Sequence, residues 1–157
     1  MKLLGFLSEE SVKLDIEATS KEELLKELLG VLVESGEIPK GDEGSILKSL
    51  MEREAKGSTG LGDGLAVPHV KDCAKVTGLT GVFGRAQTPI PYDAVDGRPV
   101  DLIFLILGGE GTQQDHIGIL RKLAQLRMNE HFLRFLRDSE DHRTVVDTIR
   151  DMEASVA

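Results

Sequence analysis

Val100-Asp101-Leu102-Ile103-Phe104-Leu105-Ile106-Leu107 is apolar at every position but Asp101 and is bounded by Pro99 and by Gly108-Gly109. Such a short, nearly continuous apolar run reads as a strand central in its sheet. The segments 65–67 and 78–85 share its character, and 11–18 alternates apolar and polar residues as a half-buried strand does. Between 78–85 and the central run lies a turn-rich connection whose sharpest signal is Asp96-Gly97. Helical spacing governs both ends of the chain. Ser20 with Glu23 forms the pattern of a capping box opening a helix over 21–35, whose apolar face is Leu24, Leu25, Leu28, Leu29, Leu32 and Val33. A second amphipathic helix is predicted over 41–56, with Ile46, Leu47, Leu50 and Met51 on one side. Helices return at 117–128, 130–137 and 143–152. This order predicts an α/β (α+β) fold, a mixed central sheet flanked by helices on both faces, in one domain over residues 1–157.

Composition narrows the function. A formal charge of −8 over 157 residues argues against nucleic acid as a partner, because that affinity rests on clustered Lys and Arg. No run is long enough to span a bilayer, and the opening Met-Lys-Leu-Leu-Gly-Phe-Leu turns acidic too soon for a signal peptide, so no direct membrane insertion and a cytoplasmic location are expected. The single cysteine, Cys73, has no internal disulfide partner and reads as a small buried hydrophobe.

The stretch 57–69, Gly-Ser-Thr-Gly-Leu-Gly-Asp-Gly-Leu-Ala-Val-Pro-His, is where chemistry is expected. Glycines allow positive φ and close backbone approach to an anion, and Pro68 restricts the chain just before His69. An imidazole presented beside backbone N–H groups suits a nucleophile that takes up a phosphoryl group, although a plain turn ending in His would look the same. Among the other histidines, His131 and His142 sit among charged residues and read as surface positions. His116 lies in the connection after the central strand, and neighbouring strands would bring it to the same sheet edge as His69. Two converging histidines suit either a metal or one group accepting while the other hydrogen-bonds. Arg53, just before the glycine loop, offers planar charge-assisted hydrogen bonds to a phosphoryl group, or pairs with Glu52 or Glu54 on a solvated helix. Ser58 and Thr59 are hydroxyl donors or simple loop residues. The glycines make no dinucleotide fingerprint, and no compact ligand spacing accompanies His69.

Arg53-Glu54, Gly57-Ser58-Thr59-Gly60 and Gly62-Asp63-Gly64-Leu65-Ala66-Val67-Pro68-His69 closely resemble the active-site signature of the enzyme IIA proteins of the fructose, mannitol and nitrogen-regulatory class of the bacterial phosphotransferase system. Asp96 to Val100 with the strand after it, and Asp115-His116-Ile117, resemble the family's central strand and second histidine segment. The segment 108–111 and Ile117, in place of the usual leucine, depart from it. The resemblance implies a phosphoryl carrier in which His69 accepts phosphate on Nε2 from the histidine-containing phosphocarrier protein. Arg53 would stabilise the charge, His116 would hydrogen-bond the group, and Ser58, Thr59, Gly62 and Gly64 would contact its oxygens, with no metal and no cofactor. The onward partner would be an EIIB of a sugar transporter or a regulatory target protein. The acidic opening and compact length resemble the free-standing, nitrogen-regulatory branch; a sugar-specific EIIA subunit is the alternative. A metal-dependent hydrolase using His69 and His116 as ligands is a third reading.

Overall fold

A computed structural model describes residues 4–156. A 3-10 turn, Glu9–Ser11, precedes strand β1 (Val12–Ile16), helix α1 (Lys21–Glu34), a second 3-10 turn (Lys40–Asp42) and helix α2 (Glu43–Ala55). Three very short strands follow, β2 (Gly60–Gly62), β3 (Leu65–Ala66) and β4 (His69–Val70). Two long ones come next, β5 (Leu79–Ile90) and β6 (Val100–Gly108). Helices α3 (Gln113–Arg127), α4 (Glu130–Asp138) and α5 (His142–Glu153) complete the chain.

The sheet runs β1-β5-β6-β3-β2, with β4 also paired to β6, so the apolar run that begins at Val100 is the middle strand. β6 pairs antiparallel with β5 and parallel with both β3 and β4, which makes the sheet mixed. Alternation along β6 divides its side chains between two cores. Ile103, Leu105 and Leu107 pack with Leu24, Leu28, Ile46 and Leu50 of α1 and α2. Leu102, Phe104 and Ile106 pack with Ile119, Leu123, Phe132 and Val145 of α3, α4 and α5. Burial on both faces is the physical reason that the strand carries hardly any polar residue.

Local signals hold in part. Ser20 accepts the Glu23 N–H at 3.2 Å and starts α1, but the Glu23 carboxylate takes the Thr19 N–H at 3.3 Å instead of closing a reciprocal box. β5 continues past the expected end at Arg85 to Ile90, with a break in register between those residues that accommodates Pro89. β2 and β4 are too short to leave a periodic signal. α3 begins four residues before the expected 117, so His116 lies in a helix and not in the connection.

Candidate phosphoryl-transfer site

The parallel register of β4 on β6 sets His69 opposite Ile106, close to the carboxyl end of the central strand. β6 then turns through Gly108 and Gly109 into α3, whose first turn carries His116. The two imidazoles face each other with ring centroids 5.2 Å apart and planes inclined at 59°. They line a cavity of about 420 Å³ together with Ser49 and Arg53 of α2, Val70 of β4 and Lys71 after it, and Ile117 and Leu120 of α3.

The two rings are held differently. Nδ1 of His69 lies 2.7 Å from the Val67 carbonyl, which only accepts, so Nδ1 carries the proton and Nε2 keeps its lone pair. His116 is buried, yet neither of its ring nitrogens hydrogen-bonds within the structure. A buried, unsatisfied imidazole is costly unless a ligand completes it. Burial lowers the His69 pKa, with the Arg53 charge adding to the effect and the hydrogen bond to Val67 opposing it. Burial also brings His116 down to about 4, helped by the His69 and Lys71 charges. Both rings are therefore neutral near pH 7.

Arg53 stands in the last turn of α2, where one guanidinium nitrogen, Nη1, donates to the Gly57 carbonyl at 2.9 Å. The cavity thus offers two neutral imidazoles between the cations of Arg53 and Lys71, a set suited to a doubly charged PO₃ group. Among the described residues no three His, Cys, Asp or Glu side chains gather as a metal-binding cluster. A larger depression of about 690 Å³ lies near the start of β6, around Arg98, Arg127 and Arg137. Two of its arginines are engaged, Arg127 with Asp63 at 2.9 Å and Arg137 with Asp101 at 2.8 Å, and no histidine lines it.

The structure brings His69, His116 and Arg53 together but leaves four expected residues outside the cavity. Ser58 Oγ donates to the Tyr92 carbonyl at 2.8 Å, and the Thr59 hydroxyl is buried against Glu54 and Tyr92. Gly62 and Gly64 shape the turn between β2 and β3, with φ of 103° and 83°, beside Asp96, Asp101 and the arginines of the other depression. Their glycine identity answers to turn geometry. Lys71 and Ser49 line the cavity unexpectedly, and Glu54, expected on a solvated helix, is buried. Lys71 and Ser49 leave no sequence signal beyond nearness to His69 and Arg53. Glu54 does leave one, since it falls four residues after Leu50, on the apolar face of α2.

With this geometry in hand, comparison with known proteins defines the class. The model of the family described as "Phosphoenolpyruvate-dependent sugar phosphotransferase system, EIIA 2" matches residues 5–152, and the chain belongs to that family. Over all 157 residues, and over the whole of its relative, it is 31% identical to a nitrogen regulatory protein of Bradyrhizobium diazoefficiens. Over 149 residues, 95% of this chain, it is 33% identical to the fructose-specific EIIABC component of Bacillus subtilis, of whose length it spans only 23%. Among solved structures, the nitrogen regulatory protein IIA-Ntr from Neisseria meningitidis superimposes with a TM-score of 0.83 at 34% identity, covering 92% of this chain and 97% of that one. No helix among the described residues is long and apolar enough to cross a membrane.

Proposed function

We propose that the protein is a phosphoryl carrier in which His69 accepts PO₃ on Nε2 from the phosphohistidine of the histidine-containing phosphocarrier protein and passes it on. The hydrogen bond from His69 Nδ1 to the Val67 carbonyl carries this reading, because it leaves Nε2 as the nucleophilic nitrogen in a cavity shared with Arg53 and His116. The Nε2 lone pair forms the new P–N bond while the donor's P–N bond breaks and its electron pair returns to the donor imidazole. Each ring keeps its other nitrogen protonated, so no proton changes hands. A loose transition state of this kind calls for positioning and charge neutralisation more than covalent help. Arg53 and Lys71 supply charge, and His116 hydrogen-bonds a phosphoryl oxygen. No resident metal or cofactor enters the scheme, and its donor is a cytoplasmic protein.

A nitrogen-regulatory use is favoured, supported by the end-to-end match to the Bradyrhizobium protein and by the likeness to IIA-Ntr. The fructose-specific relative supports a second use, donation to an EIIB for sugar uptake. Incubation with phosphoenolpyruvate, enzyme I and the phosphocarrier should add one phosphoryl group by intact mass, and His69→Ala should add none. Labelling of the variant, or none of the wild type, would overturn the assignment. Rapid loss of the label to a fructose-specific EIIB would favour the transport use.

A further inference from the structure

Glu54 is a carboxylate that the transfer chemistry does not use, and its side chain is only 3% exposed. Burying a charge is costly unless every lone pair is engaged. Glu54 is engaged at both oxygens: Oε1 accepts Lys21 Nζ at 3.1 Å and the Thr59 N–H at 3.1 Å, while Oε2 accepts the Thr59 hydroxyl. The Thr59 proton being spent there, the Tyr92 hydroxyl donates to Thr59 Oγ1 at 3.1 Å, and Lys21 Nζ lies 4.2 Å from the centre of the Tyr92 ring. The cluster ties the start of α1, the end of α2 and the β5–β6 connection to one residue of the glycine loop.

From that residue the path to the nucleophile is two hydrogen bonds long. The Thr59 carbonyl accepts the Val67 N–H at 3.1 Å, and the Val67 carbonyl takes the proton of His69 Nδ1 at 2.7 Å. The carbonyl that selects the His69 tautomer therefore belongs to a segment that Glu54 holds through Thr59. On the other side, Glu54 is next to Arg53 in α2. With its neighbour anchored in the core, Arg53 is turned about 100° round the helix toward the cavity. Its Nη1 is steadied by the carbonyl of Gly57, whose own N–H donates to the Glu54 carbonyl at 3.1 Å.

We propose that Glu54 is the positioning residue of the site, a single buried carboxylate that aims both the Arg53 guanidinium and the His69 ring at the incoming phosphoryl group. Glu54 touches neither the phosphoryl group nor its donor. Its removal loosens two partners of the reaction at once, which a group acting on the fold alone would not do selectively. The inference rests on the reading of His69 as acceptor, so the test pairs a transfer measurement with one that needs no transfer. The first is the single-turnover rate of phosphoryl transfer from the phosphocarrier, with kcat its limiting value and KM the half-saturating phosphocarrier concentration, and the second is the His69 tautomer from ¹⁵N NMR of the full chain.

Glu54→Gln is expected to lower kcat by about tenfold with KM for the phosphocarrier unchanged. It should also give His69 a mixture of Nδ1–H and Nε2–H tautomers. Thr59→Val, isosteric and lacking only the hydroxyl that Glu54 accepts, should shift both readouts in the same direction by less, and it carries the test if Glu54→Gln fails to fold. Glu52→Gln, the same charge change at an exposed position of α2, should match the wild type. Wild-type kcat and tautomer in both Glu54→Gln and Thr59→Val would overturn the proposal, as would an equal loss in Glu52→Gln. A wild-type chain that accepts no phosphoryl group would sink the acceptor reading instead, and the tautomer would still decide whether Glu54 orients His69.

Discussion

His69 and His116 stand with ring centroids 5.2 Å apart in a cavity they share with Arg53 and Lys71, so a proton on His69 is opposed by the Arg53 and Lys71 charges, and one on His116 by Lys71 and by any proton already on His69. Burial acts in the same direction and is the larger cause for both. The pair is poised to receive negative charge and to refuse positive charge, which suits a phosphoryl group entering between them.

The first expectation concerns pH. Because neutral His69 is the nucleophile and burial holds its pKa below that of an ordinary histidine, the labelling rate should fall with acid at a lower pH than a free imidazole's titration would set. The donor and His116 must be followed in parallel by NMR. Stability follows the same groups. Burial pushes the His116 pKa down to about 4 in the folded chain, against the ordinary histidine value of 6.5 that the unfolded chain would show. Above 6.5 neither form holds the proton. Below 6.5 the unfolded chain binds it first, so stability falls with pH until about 4, by about 3 kcal/mol at most. Urea unfolding of wild type and His116→Gln across that range checks the sign, and identical slopes would remove His116 as the cause.

Arg53→Ala should lower the rate of labelling by about a hundredfold while leaving the fold intact, since a partly exposed guanidinium that neutralises transition-state charge is lost. Its charge also depresses the His69 pKa, so the NMR titration of His69 should move upward in the variant. A slower rate with an unmoved titration would mean that Arg53 acts on the transferring group or its donor and not on the ring.

Stability away from the site depends on a second buried carboxylate. Glu153 of α5, 1% exposed, accepts Lys122 Nζ of α3 at 3.2 Å, and both of its oxygens accept the Leu4 N–H. Glu153→Ala removes a carboxylate that pairs with a buried ammonium and frees the Leu4 N–H, and should lower stability by a kcal/mol or more, on the order of a lost charged hydrogen bond. Thermal melting should show it, and labelling at a temperature where the variant remains folded should match the wild type.

Much of this was readable from the residues alone, for physical reasons that differ by element. The run from Val100 declares a central strand because both of its faces are covered, and α1 declares itself through Ser20 and five buried leucines. His69 was legible because glycine and proline chemistry surrounds it. What could not be read depends on distant partners. Whether the Thr59 hydroxyl faces a phosphate or the interior is decided by Glu54 and by Tyr92, 33 residues away in the chain. The early start of α3, which buries His116, is invisible because Gln113, Gln114 and Asp115 are exposed and carry no apolar period. Strands as short as β4 exist only because β6 is there to pair with them.

The closeness of β6 to α3 yields the last expectation. A methyl group on Gly108 would stand 2.8 Å from Thr112 Oγ1 and 2.9 Å from His116 Nδ1, nearer than packed carbon atoms come. Thr112 has little room to yield, since its hydroxyl is bonded to the Gly109 carbonyl at 2.6 Å, and the Gly108 carbonyl is itself held by the Cys73 N–H at 2.8 Å. The His116 ring must therefore turn out of its place opposite His69. Gly108→Ala should cost about 1–3 kcal/mol of stability, slow labelling and shift the His116 resonances. Gly30→Ala makes the same chemical change inside α1, where nothing lies within 4 Å, and should raise stability slightly with labelling unchanged. If Gly108→Ala labels at the wild-type rate with His116 displaced, the second histidine has no part in receiving the phosphoryl group.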